Sequence, residues 1–136
     1  MISVCDNGCG LDSDNLKNVG SKSCTTKLRT FKDLETVNTY GFRGVAMNAI
    51  CAVANVSLET RTHALDATAK VVIFGHDGEV QQARTSTSQH RGTTVVVTDL
   101  FQCLPVREKR ESCKRTLDAQ FRNIVRCLSS LSCIAR

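Results

Sequence analysis

The sequence has no long hydrophobic run. No apolar stretch approaches the roughly 18 to 20 residues that cross a bilayer, and residues 1–15 lack the basic and apolar regions of a signal peptide. Internal repeats and low-complexity tracts are also missing. These absences predict one continuous intracellular domain, and a length of 136 residues suits a single modest core.

Closely spaced cysteine pairs of the C-x-x-C type are absent, although the chain has eight cysteines. The three histidines, His63, His76 and His90, stand far apart in the sequence, so a structural zinc site has little support. Because nothing indicates secretion, we expect free thiols rather than a disulfide framework, and no metal site.

Acidic residues are scarce near the C-terminus. Residues 107–136 contain eight Lys and Arg against three Asp and Glu, whereas residues 1–106 contain ten of each kind. The whole net charge of +5 therefore lies in the last thirty residues. Such a segment is either the solvated face of a helix or a surface that attracts phosphate backbones, and composition leaves both open.

Hydrophobic periodicity predicts an α+β fold. Residues 2–5 alternate as the end of a strand, and Asp12 or Ser13 is expected to cap a short helix. An antiparallel meander is predicted from four β-branched runs, with a hairpin turn at 76–78; the runs are 55–62, 70–75, 79–85 and 93–101. The expected architecture is a two-layer sandwich, a mostly antiparallel mixed sheet with helices on one face.

Three segments lie outside these strands. Residues 20 to about 41 show no clear period and are interpreted as a long loop of the kind that forms lids. A helix is predicted directly after them, where Ala46, Ala49 and Ile50 recur at helical spacing. After the single proline, Pro105, apolar residues at intervals of three or four predict a basic amphipathic helix over about 108–134.

The first stretch with candidate chemistry is "DNGCG", in which Asp6, Gly8 and Gly10 form D-x-G-x-G at the end of the first strand. A carboxylate there can accept a hydrogen bond from an exocyclic amine, and glycines let a planar ring approach the backbone. The pattern predicts an adenine site. A tight turn with no ligand is the alternative.

The second stretch joins "TTKL" to "YGFRG", and it supplies hydroxyls, a lysine, an arginine and two glycines before a helix. Backbone N–H groups at a helix start suit a phosphate chain, although the P-loop spacing is absent. The candidate residues are Thr25, Thr26, Lys27, Gly41, Phe42, Arg43 and Gly44. A glycine-capped helix after a surface loop explains the same residues.

The third stretch is "RGTTVVVTDLF", in which a glycine and two threonines open a strand. Thr93 or Thr94 can place a hydroxyl beside a bound base. Threonine is also an ordinary strand residue, so this stretch alone does not distinguish a site from a strand.

In their order and spacing, these stretches resemble the MutL homologues of DNA mismatch repair, which belong to the GHKL ATPases. The resemblance rests on "DNGCG", "TTKL", "FKDLETV", "YGFRG", "RGTTV" and "LFQCLPVREK", and it covers the chain from Ile2 to about Cys133. The "LPVREK" segment is most similar to the eukaryotic Pms-type subunit, which pairs with a second homologue as MutLα. A histidine kinase or a type II topoisomerase is disfavoured by the same segment.

The resemblance implies an ATP site, with Mg²⁺ in the intact family member. Asp6 would bind the adenine amine, Gly8 and Gly10 would shape the pocket, and Thr93 would contribute its hydroxyl. The residues of the second stretch would form the lid and wrap the phosphates, and lid closure would couple nucleotide binding to dimerisation. The implied setting is a nuclear protein with a second MutL homologue as partner and weak, nonspecific contact with DNA.

Two departures from the family pattern stand out. The residue after "GFRG" is usually glutamate in the family, and here it is Val45, which puts the lid geometry in doubt. The family's general-base glutamate and Mg²⁺-binding asparagine lie upstream of the D-x-G-x-G strand, and no such segment occurs in these 136 residues. We therefore expect an ATPase-domain fragment without hydrolysis. The alternative is a non-catalytic module that binds a MutL partner or DNA through its basic C-terminal helix.

Overall fold

The computed structural model describes residues 1–22, 45–62, 68–88 and 90–133. It divides the chain into two compact units, Met1–Leu100 and Phe101–Arg136. In these ranges the first unit contains a sheet with two short helices, and the second contains two helices. Within the described ranges, none of the helices has the length and apolar character needed to traverse a bilayer.

The sheet has five strands, and all four of its strand pairs are antiparallel. In chain order they are β1 (Ile2–Cys5), β2 (Asn55–Arg61), β3 (Ala69–Phe74), β4 (Val80–Ser86) and β5 (Gly92–Thr98). Their spatial order is β1-β5-β2-β3-β4. The expected α+β sandwich with a mostly antiparallel sheet is confirmed.

The predicted meander is correct for β2, β3 and β4 and wrong for β5. Instead of following β4 at the edge, β5 lies between β1 and β2. Burial explains the difference: Val95 and Val97 of β5 pack on the core, whereas five consecutive residues of β4 are exposed. An apolar strand is stabilised by neighbours on both sides, and a polar strand tolerates the edge.

The sheet's core face is formed by residues that lie opposite one another in the ladder. Val56 pairs with Phe74 on one side and with Val97 on the other, and Leu58 pairs with Val72 and Val95 in the next row. Leu16 and Cys51 complete this cluster from two helices on the same face, α1 (Ser13–Asn18) and α2 (Ala46–Cys51).

Helix α1 begins where the sequence predicts. Of the two expected capping residues, Asp12 and Ser13, the N-cap is Asp12. The Asp12 carboxylate accepts a hydrogen bond from Asn15 N at 2.7 Å, which satisfies one of the free N–H groups of the first turn. The hairpin turn at 76–78 is also confirmed, with Gly78 at φ +84° and Gly75 N donating to Glu79 O at 2.9 Å.

The ends of β2, β3 and β4 lie within one residue of the prediction, whereas two larger differences occur further along the chain. The fifth strand ends at Thr98 rather than residue 101, because Asp99 has a positive φ of 52° that interrupts the extended backbone. The C-terminal segment forms two helices, α3 (Pro105–Glu111) and α4 (Lys114–Ser132), and Cys113 between them is extended. No residue of either helix is buried.

Candidate functional site

The structure brings Asp6, Gly8 and Thr93 together where β1 ends and β5 begins. Asp6 N donates to Thr93 O at 2.9 Å, and Thr93 N donates back to Asp6 Oδ1 at 3.1 Å. Gly8 N also donates to Oδ1, at 2.8 Å. Two backbone donors thus fix one carboxylate oxygen, and among the described residues no hydrogen bond engages the other, Oδ2.

Two glycines allow this close packing of backbone. A Cβ on Gly92 would lie 2.0 Å from Asp6 O, and Gly92 has a φ of +118°. A Cβ on Gly10 would lie 2.3 Å from Arg61 O, and Gly10 has a φ of +73°. Glycine is therefore required at position 10 by its contact with the end of β2, independently of any ligand.

Thr60 is a member of this cluster that the sequence analysis missed. Its side chain is 2% exposed, and its hydroxyl accepts from Leu11 N at 2.8 Å and donates to Gly92 O at 3.2 Å. It also lies 3.3 Å from the Thr93 hydroxyl. The one sequence signal for it is its position in β2, where it continues the buried alternation of Val56 and Leu58.

The sheet register decides between the two candidate threonines. Thr93 lies opposite Thr60, on the core face of the sheet. Thr94 lies opposite Cys5 and therefore on the other face. Only Thr93 shares a face with the helices and with the Asp6 cluster.

A cavity of about 120 Å³ adjoins the cluster beside Thr60. Leu11 and Lys70 are among the residues that line the cavity, whereas Asp6 and Thr93 are not. The Lys70 ammonium donates to the Ser13 hydroxyl at its rim. This volume is well above the ~10–15 Å³ that one water molecule requires, so the cavity can hold solvent or part of a ligand.

The seven remaining candidate site residues lie outside the described residues: Thr25, Thr26, Lys27, Gly41, Phe42, Arg43 and Gly44. The residues on either side of this stretch are described. Asn48 of α2, which follows the stretch, is hydrogen-bonded to Gly20, which precedes it. Asn48 Nδ2 donates to Gly20 O at 3.1 Å and to Asp77 O at 2.8 Å. Gly20 in turn packs on Gly78, where a Cβ on either glycine would lie 2.1 Å from the other's carbonyl oxygen.

Val45, the departure from the family's glutamate, is the N-cap residue of α2. Its side chain is exposed and makes no capping hydrogen bond. Its carbonyl accepts the first helical bond, from Ala49 N at 3.0 Å. The N-cap residue of α2 therefore supplies no side-chain acceptor for the free N–H groups of the first turn.

The seven cysteines in the described ranges are free thiols. Cys51, at the end of α2, is the buried one, and burial raises the pKa of its thiol above the ordinary value. A backbone hydrogen bond opposes this shift in pKa, and the negative charge of Asp77 adds to it. Its carbonyl accepts from His76 Nδ1 at 2.8 Å, which ties α2 to the hairpin turn.

Comparison with known proteins identifies the lineage. No family model matches the chain. DNA mismatch repair protein PMS1 of Arabidopsis thaliana is 40% identical over 133 residues, which is 98% of this chain and 14% of that protein. Mismatch repair endonuclease PMS2 of Homo sapiens is 36% identical over 135 residues, 99% of this chain and 15% of that protein.

Solved structures agree with the sequence relatives. The N-terminal domain of a DNA repair protein superposes with a TM-score of 0.69 at 33% identity, covering 95% of this chain and 34% of that one. The Aquifex aeolicus MutL ATPase domain complexed with ADP gives a TM-score of 0.58 at 24% identity, covering 93% and 40%, which bears on the fold alone.

The antiparallel sheet with two helices on its core face is therefore the fold of the MutL ATPase domain, a GHKL-type fold. Within that class the chain is a MutL/Pms-type segment, since its curated relatives are PMS1 and PMS2 mismatch repair proteins. It spans about 15% of the length of those relatives.

Proposed function

We propose that this chain forms the adenine-binding part of the nucleotide site of a Pms-type mismatch repair protein. The observation that carries the proposal is the fixed carboxylate of Asp6. Oδ1 is held by the N–H groups of Gly8 and Thr93, and with respect to the described part of the chain Oδ2 is left to accept a hydrogen bond. The amine of adenine is a donor of the required kind.

The neighbouring residues favour a flat, polar ligand at this position. Thr93 supplies a hydroxyl on the core face, 3.3 Å from that of the buried Thr60, and the Thr93 hydroxyl can turn toward a ring nitrogen. Gly8 presents no side chain beside the carboxylate, where a Cβ would lie 3.0 Å from Oδ1. The complex of the Aquifex aeolicus MutL ATPase domain with ADP is consistent with the same ligand class.

For the phosphate chain of ATP we propose the residues of the second sequence stretch, Thr25–Lys27 and Gly41–Gly44. The bonds of Asn48 support this, because they hold the chain on both sides of the segment to the sheet's hairpin turn. A long segment with anchored ends is suited to close over a ligand. Closure would gate dimerisation with a second MutL homologue.

The adenine proposal is tested by Asp6→Asn. An amide at this position presents N–H groups to the adenine amine, so we expect ADP affinity to fall about 10- to 100-fold by isothermal titration calorimetry. Guanine carries an acceptor where adenine carries its amine, so the wild type should prefer ADP over GDP, and the variant should lose that preference.

Asp14→Asn is the matched control, because it makes the same change of charge on an exposed carboxylate of α1. It should leave both affinities unchanged. Equal ADP binding by Asp6→Asn and wild type, with both folded by circular dichroism, would refute the role of Asp6.

We further propose that residues 1–136 alone bind ATP without hydrolysing it. These residues contain no match to the glutamate and asparagine that the family places before the D-x-G-x-G strand. A positioned base and a bridging Mg²⁺ are each commonly worth factors of about 10² or more in rate. Phosphate release above the buffer background, abolished in Asp6→Asn, would contradict this expectation.

The role of the whole protein is proposed on the same basis, because the chain spans only about 15% of its relatives. We propose a nuclear protein that acts in repair of mismatched DNA, with ATP controlling a clamp formed with a second MutL homologue. Mg²⁺ would accompany ATP in the intact protein.

A second candidate function is macromolecular binding by the C-terminal unit. It is favoured by α4, in which Arg115, Arg122 and Arg126 share a 19-residue helix with no buried residue. Exposed cations spaced along a helix can contact DNA phosphates. The apolar residues of the same helix would instead suit a MutL partner.

A salt titration of duplex DNA binding tests the DNA contact. We expect affinity to fall with salt, and replacement of the three arginines by glutamine to reduce the slope of log K against log salt by about 0.9 for each phosphate that is no longer neutralised. Glutamine at Lys17, Lys22 and Arg84, which are exposed in the first unit, is the control and should leave the slope unchanged. Binding that is independent of salt would exclude this contact.

A further inference from the structure

Cys5, the last residue of β1, lies in a cluster that the nucleotide proposal does not use. Its thiol is exposed and lies 3.0 Å from His90 Nε2. The Thr94 hydroxyl donates to the same sulfur at 3.3 Å. The imidazole comes from the segment before β5, so a thiol, an imidazole and a hydroxyl meet on the face of the sheet opposite the core.

The protonation of His90 follows from its second contact. His90 Nε2 lies 2.9 Å from Asp6 O, and a carbonyl oxygen only accepts hydrogen bonds. Nε2 therefore carries the hydrogen, and this one N–H group is shared between the carbonyl oxygen and the Cys5 sulfur. The Thr94 hydroxyl is a second donor to the sulfur, and Asp6 O, 3.9 Å away, is the acceptor of the Cys5 thiol.

Donors around a sulfur stabilise negative charge on it, and the thiolate is the form of cysteine that acts as a nucleophile. Cys9 provides the contrast within the same loop. Cys9 is also exposed, and its thiol, like that of Cys5, has a backbone carbonyl oxygen beside it, Gly10 O at 3.5 Å. Among the described residues, however, no side-chain donor contacts the Cys9 sulfur, whereas two contact that of Cys5. Cys51 is buried and out of reach of reagents.

We propose that Cys5 is a modification site of this chain, reactive toward small disulfides. The Cys5 thiol loses its proton to solvent, and the thiolate attacks one sulfur of the reagent RSSR. A new S–S bond joins Cys5 to RS, the S–S bond of the reagent breaks, and RS⁻ leaves with the bonding pair. The Nε2–H group of His90 and the hydroxyl of Thr94 stand beside the attacking sulfur as hydrogen-bond donors.

The test uses the reduced 136-residue chain and 2-hydroxyethyl disulfide, an uncharged reagent that avoids attraction to nearby charges. Peptide mass mapping over time gives a separate rate of mixed-disulfide formation for Cys5 and for Cys9. We expect Cys5 to react about tenfold faster than Cys9 in the folded chain. In denaturant the two rates should converge, because Cys5 is then separated from His90 and Thr94.

Three variants assign the effect to the cluster. His90→Phe and Thr94→Val each remove one donor, and each should lower the Cys5 rate several-fold toward that of Cys9, which stays constant. His90→Gln keeps an N–H group and should keep more of the rate than His90→Phe. Circular dichroism establishes that each variant is folded.

Equal rates for Cys5 and Cys9 in the folded wild type would overturn the proposal. An unchanged Cys5 rate in folded His90→Phe and folded Thr94→Val would also overturn it, since exposure alone would then explain the reactivity. Should His90→Phe fail to fold, the Cys5 rates in Thr94→Val and His90→Gln are compared with the wild-type rate instead. A lowered rate supports the proposal, and an unchanged rate in both overturns it.

Discussion

At the scale of single residues, the candidate site depends on backbone groups that approach one another closely. Asp6 is held by the N–H groups of Gly8 and Thr93 rather than by other side chains. Such an arrangement leaves no room for a Cβ at Gly92, whose carbonyl oxygen also accepts from Thr60. The glycine of "RGTT" therefore has a steric role that is separate from any ligand.

Gly92→Ala should destabilise the chain by more than about 1 kcal/mol, because the new methyl group would lie 2.0 Å from Asp6 O at a φ of +118°. Urea denaturation followed by circular dichroism measures the change. Gly75→Ala is the control, since the atoms nearest to its Cβ would be side-chain ends, of Gln81 and Asp77, rather than backbone. Equal destabilisation in the two variants would contradict the steric argument.

At the scale of elements, the helices of the first unit are short and depend on their ends and on their contact with the sheet. Helix α1 has six residues, one of which, Leu16, is buried in the core. Isolated helices of this length are unstable in water, so capping and packing must supply the stability.

Asp12→Ala should lower the free energy of unfolding by about 0.5–2 kcal/mol, because it removes the acceptor 2.7 Å from Asn15 N. The midpoint of thermal unfolding should fall accordingly. Asp14→Ala is the comparison: it removes a carboxylate 3.7 Å from the Lys17 ammonium, an exposed pair that contributes little. A larger decrease for Asp14→Ala than for Asp12→Ala would show that the cap is not the stabilising contact.

At the scale of the whole molecule, burial is concentrated in one of the two compact units. The core cluster consists of residues of the sheet, α1 and α2. In α4, by contrast, the apolar residues Leu117, Phe121, Ile124 and Leu128 are at least half exposed. Stability should therefore respond differently to truncation of a leucine in each unit.

Leu58→Ala should cost about 2–5 kcal/mol, because Leu58 is 1% exposed in the central strand β2. Leu117→Ala, at 50% exposure on α4, should cost much less. Chemical denaturation, followed by the circular dichroism signal of the β-sheet, gives the change in the free energy of unfolding for both variants. Similar costs would mean that the apolar face of α4 is covered in solution.

Most of the element types were predictable from local sequence. The alternation of Val56, Leu58 and Thr60 predicts β2, and the His76–Gly78 turn predicts the hairpin that follows β3. The end of β5 was not predictable, because Asp99 is in the left-handed region only in its folded context. Of the candidate site, Asp6, Gly8 and Thr93 were identified from their motifs, whereas Thr60 resembles any other strand threonine.

Adjacent residues are enough to predict the lineage, the D-x-G-x-G motif and the strand pattern, because each of these is a local feature of the chain. The insertion of β5 beside β1 is a property of the folded chain, because strand order depends on which faces can be buried together. That insertion brings Asp6 to Thr93 and Cys5 to His90, pairs separated by more than eighty residues. Hydrogen bonds act over about 3 Å, so no local pattern can specify such partners.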